Sequence, residues 1–229
     1  AMNPGQPPTT SDEIRLVGYF DLDYPSRLQQ IASAPAVLWV RGTAPAGNAA
    51  AVVGTRHPTK AGVDRVHKVV SVLVSAGYGI VSGLAAGVDT AAHEAALAEG
   101  GQTWAYLGSG VDYPTPRENV DLAERIVAAG GGLLAEVDPG TKPSPRTLVA
   151  RDRLQSGSSS LTVIGQSGIP SGTLYTARFT IEQERSLVVV APPASEADDP
   201  AWAGNRALCD PDGCDPAILN AEGRLAEQI

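Results

Sequence analysis

Ala51-Val52-Val53-Gly54-Thr55-Arg56 is the stretch on which the fold turns. An apolar run ends there in a glycine, a hydroxyl and a cation, as when a buried strand delivers its tip to a ligand-binding edge. The pattern recurs as Ile80-Val81-Ser82-Gly83-Leu84-Ala85-Ala86-Gly87-Val88-Asp89, which opens a helix, and again as Ala105-Tyr106-Leu107-Gly108-Ser109-Gly110. Strand tips carrying Gly and Ser leave backbone N–H groups free beside helix N-termini. Such edges suit anions, above all phosphates.

Working outward, apolar runs predict strands near 50–54, 79–82, 103–107, 132–135, 160–164 and 187–190, with helices near 59–76, 88–99, 117–129, 148–156 and 173–184. The strands are continuously apolar, as expected when helices cover both faces of a sheet. Their alternation with helices across short loops predicts an α/β fold, an extended Rossmann-like doubly wound, mostly parallel sheet. A short helix over 24–32 and a short strand over 37–40 lead into it. In helix 88–99, Ala91, Ala92, Ala95, Ala96 and Ala98 let the helix lie close to the sheet. Residues 1–23 read as a flexible N-terminal segment, the first twelve being rich in Pro, Thr and Ser. Residues 24–208 read as one domain and 209–229 as a C-terminal tail, with surface-wrapping, partly irregular chain from 194 onward.

A chain of 229 residues, 43% hydrophobic and 18% charged, can bury one large core. It carries no long apolar run, signal-peptide pattern or lipidation motif, so the expectation is a cytoplasmic protein without a membrane partner. Cys209 and Cys214 have no histidine near them in sequence and read as free thiols, so no metal and no cofactor is expected. The formal charge of −8 argues against a broad nucleic-acid-binding surface. Twelve carboxylates, however, lie before residue 24 or after 195 (Asp12, Glu13, Asp21, Asp23, Glu196, Asp198, Asp199, Asp210, Asp212, Asp215, Glu222 and Glu227), whereas arginines gather at the strand tips. A basic pocket on an acidic body follows, with weak non-specific affinity for DNA.

Several residues carry the phosphate reading. Arg56 follows Gly54-Thr55 and offers a planar fork for bidentate contact. Ser82 and Gly83, and Gly108 and Ser109, occupy the next two tips, while Gly172-Thr173 opens a further helix after the Gly- and Ser-rich run 165–173. Asp89 and His93 share one helix face, where an aspartate steadying the helix N-terminus and a packed histidine are the better reading than an acid–base pair. Glu136 and Asp138 lack an accompanying nucleophile or metal set and read as partners of neighbouring loops. Trp39, Trp104 and Trp202 read as packing residues, and no run of stacking aromatics is visible.

The ordered motifs resemble those of the DNA-processing protein A family (DprA, also called Smf), across residues 24–208. The resemblance rests on Tyr24-Pro25, Val53-Gly54-Thr55-Arg56, the run from Val81 to His93, Asp112-Tyr113-Pro114, Arg117-Glu118-Asn119, Gly132-Leu133-Leu134-Ala135-Glu136, Arg151-Asp152-Arg153-Leu154 and Ser171-Gly172-Thr173-Leu174. It implies the Rossmann-like core of a non-enzymatic, homodimeric protein that binds single-stranded DNA at its strand tips and loads a RecA-type recombinase during transformation. It further implies that Arg56 is the pocket arginine, that the Ser82 and Gly83 amides approach phosphates, and that Arg151 and Arg153 form a basic Arg-Asn-Arg step. Here Asp152 stands where that step carries asparagine, and Thr147-Leu148-Val149-Ala150 replaces a Phe-Pro approach. The alternative is a Rossmann-like sensor binding a nucleotide ligand. A nucleotide N-glycosidase comes third, because Pro170-Ser171-Gly172-Thr173-Leu174 only partly echoes the Pro-Gly-Gly-x-Gly-Thr-x-x-Glu signature of such enzymes.

Overall fold

The computed structural model describes residues 13–209. The expected disorder of residues 1–12, the thiol of Cys214 and nearly all of the 209–229 tail lie outside them. In chain order the strands are β1 (Ile14–Gly18), β2 (Val37–Gly42), β3 (Ala49–Val53), β4 (Gly79–Ser82), β5 (Thr103–Leu107), β6 (Gly132–Ala135), β7 (Leu161–Ile164) and β8 (Ser186–Val189). The helices are α1 (Lys60–Ser75), α2 (Val88–Ala98), α3 (Val120–Ala128), α4 (Pro145–Gly157), α5 (Thr173–Glu182) and α6 (Ala203–Cys209).

The eight strands form one sheet in the order β1-β2-β6-β5-β4-β3-β7-β8. Only the β1–β2 and β2–β6 pairs are antiparallel; the rest are parallel, so the expected fold class is observed. Core side chains alternate between the faces. Val52, Ile80 and Val163 meet α1 and α2, while Ala105, Leu107 and Leu133 meet α3. On the opposite face Val81, Trp104, Tyr106 and Leu134 pack with Leu154 of α4, and Val53 and Ile164 with Leu174 and Ala177 of α5. Burial on both faces accounts for the uninterrupted apolar runs.

From β3 the chain steps outward to β6, then returns to lay β7 against the other side of β3. Strand order therefore reverses between β3 and β7, and ligands of such sheets bind outside the carboxyl ends of the strands at that reversal. Gly54 sits at this point because nothing larger fits. A Cβ there would lie 2.6 Å from the Val88 side chain and 2.7 Å from the Gln166 carbonyl oxygen.

Two expectations are corrected. Residues 1–23 are not wholly a flexible segment, since β1 is an edge strand paired with β2 ahead of residue 24. Of its five residues only Val17 is buried, and they lack the continuous apolar pattern of the central strands. Between residues 194 and 209 the chain is also more integrated than a surface wrap. Trp202 is fully buried, and Glu196 accepts from its Nε1 at 2.7 Å and from Oγ1 of Thr59, the N-cap of α1, at 2.8 Å. Among the described residues no helix is long and apolar enough to cross a membrane.

Asn205 shows how firmly this segment is tied in. Its side chain, fully buried, accepts from Ser167 N–H at 2.6 Å and donates to the carbonyls of Val190 and Gly165 at 2.9 and 3.2 Å. Asn205→Ala strands these buried backbone groups, and the expected loss is about 2 kcal/mol. Urea denaturation measures it; an unchanged midpoint would show that the segment is not part of the cooperative unit.

Candidate functional site

A cavity of about 500 Å³ opens at the carboxyl ends of β3, β4 and β7. Its walls are the 54–57 loop after β3, Ala85 and Asp89, the Leu148–Arg151–Asp152–Gln155 face of α4, and residues 170–173 ahead of α5. A second cavity of about 320 Å³ adjoins it towards β5, with Gly83, Leu107, Gly108 and Pro116 in its lining. Arg56, His57, Ala85, Leu148 and Arg151 line both. Helix α4 can present its wall because Ser144 and Thr147 close a capping box and Pro145 starts the first turn.

The loop between β4 and α2 is pinned from two sides. Asp89 accepts from the N–H groups of Gly83 and Ala85 at 3.1 and 3.3 Å. Asn119 donates to the Leu84 carbonyl oxygen at 2.8 Å. Leu84 is fully buried with φ of +59°, a backbone region costly for a leucine and found where surrounding contacts impose it. Gly87, at φ of +84°, starts α2.

Behind this loop lies Arg151, only 7% exposed. Its Nη1 is 4.0 Å from Asp89 Oδ2, and its Nε is 3.5 Å from Asp152 Oδ1. The Gln155 amide, turned so that its oxygen faces them, accepts from Gly83 N–H at 3.2 Å and from the Arg151 guanidinium. Burial pushes the Asp89 carboxyl up, against the pull of Arg151 and of the Ala85 and Gly83 N–H donors. Burial also pushes Asp152 up, to about 7, with Asp89 adding to the shift and Arg151 and Arg56 opposing it. His93, fully buried, is lowered to about 3 by desolvation and by Arg151. The Thr103 hydroxyl donates to the Ile80 carbonyl at 2.9 Å, so it accepts from His93 Nδ1, 2.7 Å away. His93 is thus a neutral packing residue, and Asp89 a loop anchor, as their sequence context suggests.

The structure gathers some predicted residues and disperses others. Gly54, Thr55, Arg56, Arg151, Gly172 and Thr173 line the larger cavity, and Gly83 and Gly108 the smaller. Arg56 is exposed at the mouth. Arg153 lies outside both cavities: it pairs with Glu136 at 2.7 Å and donates to the Ala150 and Ser33 carbonyls at 2.6 and 3.2 Å. Three residues separate it from Ala150 on one helix, which turns its guanidinium away from Arg151. The Ser82 and Ser109 hydroxyls are buried and donate to the Val52 and Tyr113 carbonyls, both at 2.7 Å. The N–H groups of Gly83 and Thr173, expected to be free, are taken by Asp89 and by Ser171 Oγ at 3.2 Å. Charge at this site therefore comes from Arg56 and Arg151 more than from those amides. Sequence reading missed His57, Leu148 and Gln155 as lining residues. The last two share a helical face with Arg151 and Asp152, a spacing legible once the helix was placed.

These features define a Rossmann-like domain with two arginines lining its switch-point cleft. A family model described as DNA recombination-mediator protein A matches residues 15–214, and the chain belongs to that family. It is 38% identical over 173 residues to Protein Smf of Synechocystis, covering 73% of this chain and 43% of that protein. It is 36% identical over 170 residues to DprA of Bacillus subtilis, covering 73% and 57%. The chain thus spans about half the length of the curated relatives it matches. The X-ray structure of Streptococcus pneumoniae DprA superposes with a TM-score of 0.78 at 30% identity, covering 92% of this chain and 74% of that one. A Helicobacter pylori DprA structure, solved for insight into its single-stranded DNA binding mode, has the same fold, with a TM-score of 0.75 at 24% identity, covering 86% and 87%.

The carboxyl of Asp152 makes the stability of the fold depend on pH. Its folded pKa, about 7, stands above the ordinary 3.8, so the folded state holds a proton that the unfolded state has released. The contribution of Asp152 to stability is greatest below about pH 4 and falls as the pH rises to about 7. Asp152→Asn removes this loss and is expected to stabilise the protein at pH 8 by on the order of 2–4 kcal/mol, the gain shrinking towards pH 4. Thermal unfolding across that range reads the difference; a pH-independent gain would show that Asp152 is already charged at little cost.

Proposed function

We propose that the switch-point cleft binds single-stranded DNA through its phosphates, within a DNA-processing and recombination role. The observation that carries the proposal is the convergence of exposed Arg56 and buried Arg151 on two adjoining cavities at the strand tips, in a chain of this family. The single-stranded DNA binding named for the Helicobacter pylori protein supports the same reading. Recognition runs through the backbone: both side chains at the centre are phosphate ligands, so contacts position the strand without reading its sequence. A cytoplasmic homodimer that passes the strand to a RecA-type recombinase completes the proposed role. A second reading is a free nucleotide, favoured by a cavity whose size of about 500 Å³ suits a small ligand.

Fluorescence anisotropy of a labelled oligo-dT of about thirty nucleotides tests this, at low and physiological salt, with a duplex of equal length beside it. The expected result is binding that prefers the single strand and weakens with salt. Arg56→Ala should weaken it roughly ten- to a hundredfold, the worth of a charge-assisted contact. No binding at low salt would end the polymer reading and turn the same cleft over to nucleotides.

A further inference from the structure

We infer that Asp152 is an internal competitor for the phosphate at Arg151, so that DNA binding draws a proton onto Asp152 and this residue sets the affinity of the cleft. The inference rests on the proposed reading of the cleft as a site for single-stranded DNA. Its ground is an unequal pair of carboxylates around one guanidinium. Asp89 is committed: it accepts two backbone N–H groups and holds the β4–α2 loop, so it cannot leave. Asp152 follows Arg151 on α4, lines the larger cavity and sits 3.5 Å from Nε. That Nε is buried, yet has no hydrogen bond among the described residues. Asp152 therefore faces Arg151 without the aligned contact that would fix it there.

Charges act on Asp152 from three elements. Arg151 precedes it on its own helix, Asp89 faces it from α2, and Arg56 from the loop after β3. His57, on that same loop, lines the same cavity. Residues 170–173 carry no ionisable side chain, and on α5 Arg178 pairs with Glu182. Counting Arg56, Arg151, Asp89 and Asp152, the centre of the cleft has no net positive charge while both carboxylates are ionised. A phosphate arriving at Arg151 then meets the Asp152 carboxylate at short range in a poorly solvated wall. Protonation removes the repulsion and turns the carboxyl into a donor for a phosphate oxygen. Burial has already brought that protonation close to neutral pH, with a midpoint of about 7. If the protonated cleft is the competent form, apparent affinity falls with the fraction protonated, about tenfold between pH 6 and pH 8.

The test is oligo-dT anisotropy at constant ionic strength at pH 6, 7 and 8, for the wild type and Asp152→Asn. The wild type should bind about tenfold more weakly at pH 8 than at pH 6. Asp152→Asn should match it at pH 6, bind about tenfold tighter than it at pH 8, and lose most of the pH dependence. His57 is present in both proteins, so any slope it contributes survives the substitution. Calorimetry in two buffers of different ionisation enthalpy should show close to one proton taken up near pH 8 by the wild type and less by the variant. A wild-type affinity independent of pH, or a slope unchanged in Asp152→Asn, overturns the inference while leaving the DNA site standing. Absence of binding by both proteins at every pH overturns the site and the inference together.

Discussion

A guanidinium that is only 7% exposed must have its charge met inside the protein, and the cleft is organised around that requirement at Arg151. Asp89 meets it from α2 at 4.0 Å and Gln155 from one turn further along α4. Asp89 also accepts two N–H groups of the β4–α2 loop, so the arginine, the loop and the start of α2 form one unit. The unit leaves no room for a side chain at Gly83, where a Cβ would collide with the Arg151 guanidinium and the Gln155 amide. It also holds Leu84 at a positive φ that leucine would otherwise avoid. A buried ion pair seldom adds much to stability once desolvation is counted. What this one supplies is position: a cation at the back of a cavity, with its orientation set before any ligand arrives.

The approach of α2 to the sheet makes this geometry reachable. Ala91, Ala92, Ala95 and Ala96 are buried against β3 and β4, and Gly54 and Gly87 remove the last side chains between α2 and the loop after β3. Val88 N–H donates to the Thr55 carbonyl, so the strand tip that carries Arg56 is bonded directly to the first residue of α2. Arg56 and Arg151 therefore reach one cleft from opposite faces of the sheet, one by way of a strand tip and the other from α4. Strand order supplies the opening between them, because the reversal at β3 and β7 sends successive helices to different faces.

Much of this was legible in the residues. The apolar runs of β3 to β7 are continuous because both faces are covered, and that pattern can be read without coordinates. Gly54 and Arg56 were legible for the same reason: a glycine and a polar residue at the end of a buried strand have few places to go. The failures share a physical cause, which is that sequence shows what a group could donate but not whether a neighbour has claimed it. Gly83 N–H and Ser82 Oγ look available until Asp89 and the Val52 carbonyl are seen to take them. Arg153 looks like a twin of Arg151, but two residues along a helix turn a side chain by about 200°, towards Glu136. β1 was hidden because an edge strand needs only one apolar face, and five residues carry little periodic signal.

The distribution of charge reconciles a chain of formal charge −8 with the proposed phosphate ligand. On the proposed reading an exposed cation such as Arg56 attracts a strand from a distance, but salt screens it within about 10 Å and the acidic body opposes it. A buried cation such as Arg151 contributes little at long range. At contact it faces the ligand through a medium less polarisable than water, where charge counts for more. The same burial magnifies every neighbouring charge, so Asp152 on the cleft wall weighs more heavily than a carboxylate in solvent. On the proposed reading, affinity is decided by the few charges that water cannot screen, and the net charge of the surface governs only how often a strand arrives.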